Sequence, residues 1–391
     1  MPWKEVKPMD ERVCFVARLL EGERMTDLSK EFGITRKTGY KFLDRYNKYG
    51  VEGLNDQPRR PLHLARKTSS EVEKLIIRLK GLYPTWGPKK LKAKLEVLHP
   101  GVSFPATSTV GEILGRNGLV KNRKRQRALE KFCSTPLSES SASNEIWCTD
   151  FKGQFRLGNQ TYCYPLTVTD HFSRYLIGCE ALTSTQVGPS VAIFEELFDQ
   201  YGLPDAIKSD NGVPFSSQSL GGLSELSAWW MSLGIRPQRS RPGHPEDNGR
   251  HERMHRTLKA EATRPSGQCQ LQQQERFDEF KQSYNFDRPH EALDMKTPDS
   301  LYARSKRTLE EAQKALTYPL HDLTRIVGNQ GMLKLEGGRC FIGSAIRGHV
   351  VGLRELGNGV HLVSLGPFDL GYVNMNTEKF TLDNPFDSQE E

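Results

Sequence analysis

The hydrophobic period of this 391-residue chain changes near Asn144, and that change limits the folds open to it. Ahead of it, apolar residues recur at helical spacing over Glu11–Leu20, Met25–Phe32 and Arg36–Tyr49, then over Ser70–Leu82, Pro88–Leu98 and Thr107–Asn117. The stretch from Asn55 to Pro61, NDQPRRP, breaks the pattern between the two sets and reads as a linker. Beyond Asn144, short runs rich in aromatic and β-branched residues follow one another: Glu145–Leu157, Thr161–Asp170 and Tyr175–Leu182. They predict a three-strand meander. Helices are expected over Ser190–Tyr201, Leu223–Leu233 and from about Asn248, alternating with strands Ala206–Ser209 and Ile235–Gln238, so the middle of the chain reads as a mixed α/β sheet. A polar helix, Ser305–Ala315, leads into a last β-patterned region with strands such as Met332–Leu335, His349–Leu353 and His361–Leu365. A small β-barrel is the economical expectation there.

Charge is unevenly placed. Residues 1–130 hold 28 Lys and Arg against 15 Asp and Glu, a surplus of 13, while the remainder carries a deficit of 6. A basic N-terminal third reads as the part that meets a polyanion. Gly33-Ile34-Thr35 is a short turn ending in an N-cap residue, the punctuation of a helix-turn-helix. On this reading the helix after it, carrying Arg36, Lys37, Tyr40 and Lys41, would enter a DNA major groove; the ordinary alternative is a small helical bundle whose basic face binds nothing. Lys89 and Lys90 in the second helical set, and the run Lys121, Arg123, Lys124, Arg125 and Arg127 that closes it, are candidate phosphate contacts; the ordinary alternative is a solvated basic face.

Three acids stand out by position. Asp150 lies inside an apolar strand, where an ionised carboxylate is costly unless paired or metal-bound. Asp210 follows the C-terminal end of the strand Ala206–Ser209, at the edge where open α/β sheets place ligands. Glu252 falls early on a helix. Each alone has an ordinary reading: a buried salt-bridge arm, a turn residue, a carboxylate favoured by the helix dipole. Together they offer hard oxygen ligands from two strands and a helix to Mg²⁺.

The blocks Trp147-Cys148-Thr149-Asp150, Ser209-Asp210-Asn211-Gly212 and Gly243 to Glu252 resemble the three acidic motifs of the integrase-like DDE superfamily, which includes insertion-sequence transposases and retroviral integrases. Tyr284-Asn285, Arg288-Pro289-His290-Glu291-Ala292-Leu293 and Thr297-Pro298 resemble the stretch after the third acid in the insertion-sequence members. The resemblance covers roughly residues 144–302, and more loosely the helical units with Pro84-Thr85-Trp86-Gly87-Pro88-Lys89-Lys90-Leu91.

That resemblance implies a ribonuclease-H-like catalytic core with Asp150, Asp210 and Glu252 as metal-binding catalytic acids. Glu246 stands at the wrong spacing, and Asp170 is expected to be a structural acid. It also implies two Mg²⁺ ions about 3.5 to 4 Å apart, replaceable by Mn²⁺. Arg256 and Lys259, on the face of Glu252, are expected to touch DNA phosphate; the alternative is a plain i,i+4 ion pair. His251 is expected to pack or hydrogen-bond rather than ligate metal. Between Asp210 and Glu252 the chain is longer than in retroviral members, with the helix carrying Trp229 and Trp230 as the added packing element.

The expected organisation is therefore two helix-turn-helix domains, 1–58 and 62–130, a mixed α/β core, 140–305, and a small β-barrel, 324–385. The expected function is metal-dependent 3′-end nicking and strand transfer by a DNA transposase, with double-stranded DNA as partner: the element's terminal inverted repeats and the target. The resemblance implies a homodimer or larger assembly on DNA. A transposase-derived DNA-binding regulator without catalysis is the alternative. A charged N-terminus and scattered, odd-numbered cysteines fit reduced thiols and a cytoplasmic, nucleoid-associated protein.

Overall fold

The computed structural model describes residues 8–56, 68–120, 140–217, 222–240, 249–314, 317–336 and 338–384. The chain divides into two compact units, Met1–Thr68 and Ser69–Glu391.

In the first unit, α1 (Pro8–Leu20), α2 (Met25–Glu31) and α3 (Arg36–Tyr49) pack around Phe15, Val16, Leu28 and Leu54. Gly33 takes a φ of +63°, which lets the chain reverse between α2 and α3, and the Thr35 side chain caps α3 by accepting from the Thr38 N–H. Gly39 is needed for another reason: a Cβ there would lie 2.5 Å from Met25 Sδ and 2.9 Å from Phe15 Cζ. The close approach of the helices depends on that missing methyl group.

The second unit opens with α4 (Ser70–Leu82), α5 (Pro88–Leu98) and α6 (Thr107–Arg116), joined by a core of Ile76, Trp86, Leu91, Leu95 and Val110. Pro88 starts α5, where its missing N–H costs nothing. Lys80 Nζ donates to the carbonyls of Pro84 (2.7 Å) and Trp86 (2.8 Å), fixing the turn that presents α5.

The central sheet contains β1 (Ile146–Phe151), β2 (Phe155–Arg156), β3 (Tyr162–Asp170), β4 (Leu176–Leu182), β5 (Ala206–Ser209) and β6 (Arg236–Arg239). The sequence suggests one strand where β1 and β2 are two, because Gly153 at φ +87° turns the chain between them. β3 pairs antiparallel with β1, β2 and β4, whereas β1, β5 and β6 run parallel, so the sheet is mixed as expected. On one face α7 (Val187–Tyr201) and α8 (Glu225–Ser232) cover Trp147, Val168 and Ile207. On the other, α9 (Gly249–Glu261) and α10 (Gln270–Gln282) cover Leu157, Cys163 and Cys179. This is the ribonuclease-H-like arrangement. The sequence reading ran α9 on without marking α10 as a separate helix; α9 ends at Glu261 and the segment Arg264-Pro265-Ser266-Gly267 separates the two.

Asn285 locks the segment after α10 to the sheet. Its Oδ1 accepts from Leu176 N–H at 2.8 Å and its Nδ2 donates to the Leu176 carbonyl at 2.9 Å, both buried. The polar helix expected over Ser305–Ala315 is shorter, α11 (Leu309–Lys314), because residues 305–307 are held extended: Ser305 N–H donates to Tyr201 O and the Arg307 carbonyl accepts from Leu203 N–H.

The C-terminal region is β-rich, but its described residues do not close into the expected barrel. β7 (Leu323–Ile326), β10 (Val350–Gly357), β11 (Val360–Leu365), β12 (Phe368–Asn374) and β13 (Lys379–Thr381) form an open antiparallel sheet in the order 13-12-11-10-7, and β8 (Met332–Leu335) pairs with β9 (Gly338–Phe341) in a separate hairpin. A helix, not strand closure, helps cover the apolar interior. Ala228 and Met231 of α8 pack with Val351, Leu353 and Val363, and Arg347 pairs with Glu225 at 2.6 Å. The helix bearing Trp229 and Trp230 thus serves two cores, with Trp230 set against Phe194 and Phe215 on its other side.

Candidate active site

Side chains alternate across a strand. Trp147 enters the core under α7 and α8, so Cys148 and Asp150 face the opposite side of the sheet, toward α9. Across β1 and β3, Cys148 is opposite Thr169 and Asp150 opposite Thr167. On the parallel neighbour, Cys148 is level with Lys208, and Asp210, two residues on, continues the row that holds Asp150. The turn after β5 fixes it: Asp210 Oδ1 accepts from the Gly212 N–H at 3.1 Å. Glu252 lies exposed in the first turn of α9, where the helix dipole favours an acid.

Asp150 feels both of the other acids. Burial pushes the Asp150 carboxyl up to about 7, with repulsion from Asp210 and then from Glu252 adding to the rise. A half-buried carboxylate repelled by two further acids, with only a weak cationic counterweight from Lys152, suits a divalent cation that keeps some of its waters.

A buried hydrogen-bond cluster, which the sequence reading did not assemble, supports Asp150 from below. Thr167 Oγ1 donates to the Asp150 carbonyl oxygen at 3.1 Å. Its lone pairs therefore accept from the Nε2–H groups of His251 and His255, each at 2.7 Å. His251 Nδ1 accepts from Thr169 Oγ1 at 3.0 Å. Burial drives both imidazoles down, His251 to about 3 and His255 to about 2, so both are neutral. The 3.8 Å approach of His255 Nδ1 to Asp150 Oδ2 is accordingly a neutral ring beside a carboxyl, not an ion pair. Asp150, His251 and His255 offer atoms within 4.8 Å of one another. Both nitrogens of His251 are nevertheless engaged by threonine hydroxyls, so that residue holds position, as the sequence reading expects. The i,i+4 spacing of the two histidines is visible in the sequence; their shared threonine depends on strand register and is not.

Asp170 is taken up by the turn that follows β3. Its Oδ1 accepts from Asn144 N–H (2.8 Å) and its Oδ2 from the Ser173 N–H (2.7 Å) and hydroxyl (2.6 Å), closing the turn between β3 and β4. Glu246 and His244 lie outside the described residues, as do Lys121, Arg123, Lys124, Arg125 and Arg127. Arg36, Lys37, Tyr40 and Lys41 are all exposed on the N-terminal half of α3. Lys89 pairs with Glu291, and Lys90 is partly buried beside Arg288, its ammonium pushed down to about 8 mainly by burial. Arg256 and Lys259 are exposed on α9, and Lys259 lies near enough to Lys152 to lower its pKa. Cys148, Cys163, Cys179 and Cys340 are buried free thiols, while Cys14 and Cys269 are exposed.

Residues 140–245 and 233–298 match the integrase core domain, 11–61 match a helix-turn-helix domain, and 38–114 a homeodomain-like domain. The chain is similar to the Insertion element IS476 uncharacterized 39.2 kDa protein of Xanthomonas euvesicatoria, 24% identical over 305 residues, 76% of this chain and 83% of that protein. It is also similar to the Gag-Pol polyprotein of baboon endogenous virus, 35% identical over 105 residues; the match takes in 26% of this chain and spans only 6% of the polyprotein. Among solved structures it resembles the HTLV-2 integrase catalytic core domain in complex with magnesium, 17% identical with a TM-score of 0.35, covering 42% of this chain and 100% of that one.

Helix-turn-helix domains followed by a ribonuclease-H-like sheet define an integrase-core protein. Within that class, the integrase-core and helix-turn-helix matches together with the insertion-element relative are consistent with an insertion-sequence transposase of the integrase-like DDE superfamily. Among the described residues, no helix is long and apolar enough to cross a membrane.

Proposed function

We propose that this chain binds the ends of a mobile DNA element and catalyses metal-dependent 3′-end nicking and strand transfer into target DNA. The observation that carries the reading is the shared electrostatic neighbourhood of Asp150, Asp210 and Glu252, three acids from two strand ends and a helix start. These three residues would hold two Mg²⁺ ions, or Mn²⁺ in their place. When bound, the ions supply activation of an attacking oxygen and charge stabilisation on the leaving 3′ oxygen of an in-line displacement at phosphorus.

The chain's own residues set the geometry. Asp150 is held on β1 by pairing to β3 and by the Thr167 hydroxyl, and Asp210 by its turn. Exposed Arg256 and Lys259, on the Glu252 face of α9, steady the DNA backbone across the acids. The helix-turn-helix residues Arg36, Lys37, Tyr40 and Lys41 read the element end, in domains we assign as 1–58 and 62–130, ahead of a catalytic domain over 140–305 and a β domain over 324–385. Each element end needs its own subunit, so a homodimer or larger assembly works on nucleoid DNA in the cytoplasm.

A joining assay tests this. Labelled end DNA, a target plasmid and Mg²⁺ are incubated with the full chain. Asp150→Asn, Asp210→Asn or Glu252→Gln should each cut joining by at least about 10²-fold without loss of DNA binding. Joining that survives these changes removes the acids from the mechanism. Binding with no metal-dependent cleavage by the unaltered chain would make it a DNA-binding regulator instead.

A further inference from the structure

The sequence blocks around Pro88-Lys89-Lys90 and Arg288-Pro289-His290-Glu291 lie far apart in the chain, yet the fold brings them together. Lys89 pairs with Glu291, Lys94 with Asp287 at 2.9 Å, and Glu261 accepts from both Arg288 (2.7 Å) and the Thr85 hydroxyl (2.5 Å). Between α5, α9 and the 284–292 segment lies a cavity of about 780 Å³.

Its walls carry six cations, Lys90, Arg174, Arg250, Arg253, Arg256 and Arg288, against three carboxyls, Asp170, Glu261 and Glu291. The carboxyls are already engaged: Asp170 by Asn144 and Ser173, Glu261 by Thr85 and Arg288, Glu291 by Lys89. Five cations are therefore left with no carboxylate ion pair among the described residues. The Arg174 Nε is buried with no hydrogen-bond partner, and its guanidinium is repelled by Arg250 and Arg253. Such a wall favours an anion before it, and planar guanidinium groups match phosphate oxygens in pairs.

We propose that this cavity, which shares Arg256 with the backbone contact proposed above, is a binding site for the phosphodiester backbone of a DNA strand next to the three-acid site. The proposal rests on the transposase reading above. A strand fits better than a free nucleotide, because Tyr284, the one Phe, Tyr or Trp in the wall, is only 7% exposed and offers no stacking surface. Arg253 and Arg256 lie one residue and one turn beyond Glu252, so backbone held here passes within about one helix diameter, ~10 Å, of that acid. Lys90 and Thr85 come from the helical unit, so an occupied cavity also ties that unit to the core.

The test is the salt dependence of binding to a double-stranded DNA of arbitrary sequence, read by fluorescence anisotropy with the full chain. Arg250, Arg253 and Arg256 are exposed, so substituting the first two leaves the fold intact, which an unchanged melting temperature checks. Arg250→Ala with Arg253→Ala should flatten the slope of log affinity against log salt by about 2 and weaken binding at least roughly 10-fold. Arg250→Lys with Arg253→Lys should keep most of the slope. A control pair, Lys306→Ala with Lys314→Ala, removes the same charge elsewhere. An unchanged slope in the alanine pair, or an equal fall in the control pair, overturns the cavity as a DNA site while leaving the three-acid reading in place. Absence of salt-dependent DNA binding by the unaltered chain would instead sink the transposase reading itself.

Discussion

The hydroxyl of Thr167 ties together more of the site than any acid does. It meets the Asp150 carbonyl and both buried imidazoles, so two ring N–H groups depend on one oxygen. Thr167→Val keeps the shape and removes the acceptor. We expect a loss on the order of 2 kcal/mol or more in urea unfolding, because buried N–H groups left unpaired carry their full desolvation cost, and a much smaller loss for Thr167→Ser. Equal stability of the valine variant would show that the cluster holds nothing in place. At this scale the candidate acids are conspicuous in the sequence: an aspartate inside an apolar strand and another just past a strand end. The threonine is not: a Thr in a β-rich run has no distinguishing mark until register places it opposite Asp150.

Among the elements, those with strong local signals came through. α3 begins where Thr35 caps it, and α5 begins at its proline. Elements whose limits depend on distant partners did not: α10 follows a break made by Pro265 and Gly267, and α11 is shortened by hydrogen bonds to α7 and the loop after it. The segment Ser283–Leu293 is another such case, held by Asn285 and by His290, whose ring stacks edge-on to Tyr284 at 4.9 Å. Burial, with repulsion from Lys90, Arg288 and Arg174, pushes His290 down to about 3, so the fold takes up its neutral form. The unfolded chain binds a proton below about pH 6.5 that the folded chain refuses, and stability therefore falls as pH drops from 6.5 toward 3. His290→Leu should remove about 2 kcal/mol of that loss at pH 5, seen as a shallower fall in melting temperature between pH 7 and 5. Parallel curves for the two proteins would contradict it.

At the scale of the whole molecule, the order of helical units, mixed sheet and β-rich end could be read from the change of period at Asn144. The way α8 joins two cores could not. A helix apolar on both sides looks in sequence like one buried helix, and only the fold shows Trp230 turned to the sheet and Met231 to the C-terminal strands. The same limit separates three conspicuous acids from the single site proposed for them, since that union requires two parallel strand ends and a helix start to meet at one edge. Titration of the purified full chain with Mn²⁺, following the free ion by electron paramagnetic resonance, tests that union without any DNA chemistry. The expected result is saturable binding in the unaltered chain, weakened at least about 10-fold by Asp150→Asn, Asp210→Asn or Glu252→Gln, each variant remaining folded. Mn²⁺ binding of undiminished strength when all three are changed together would contradict the account at its root.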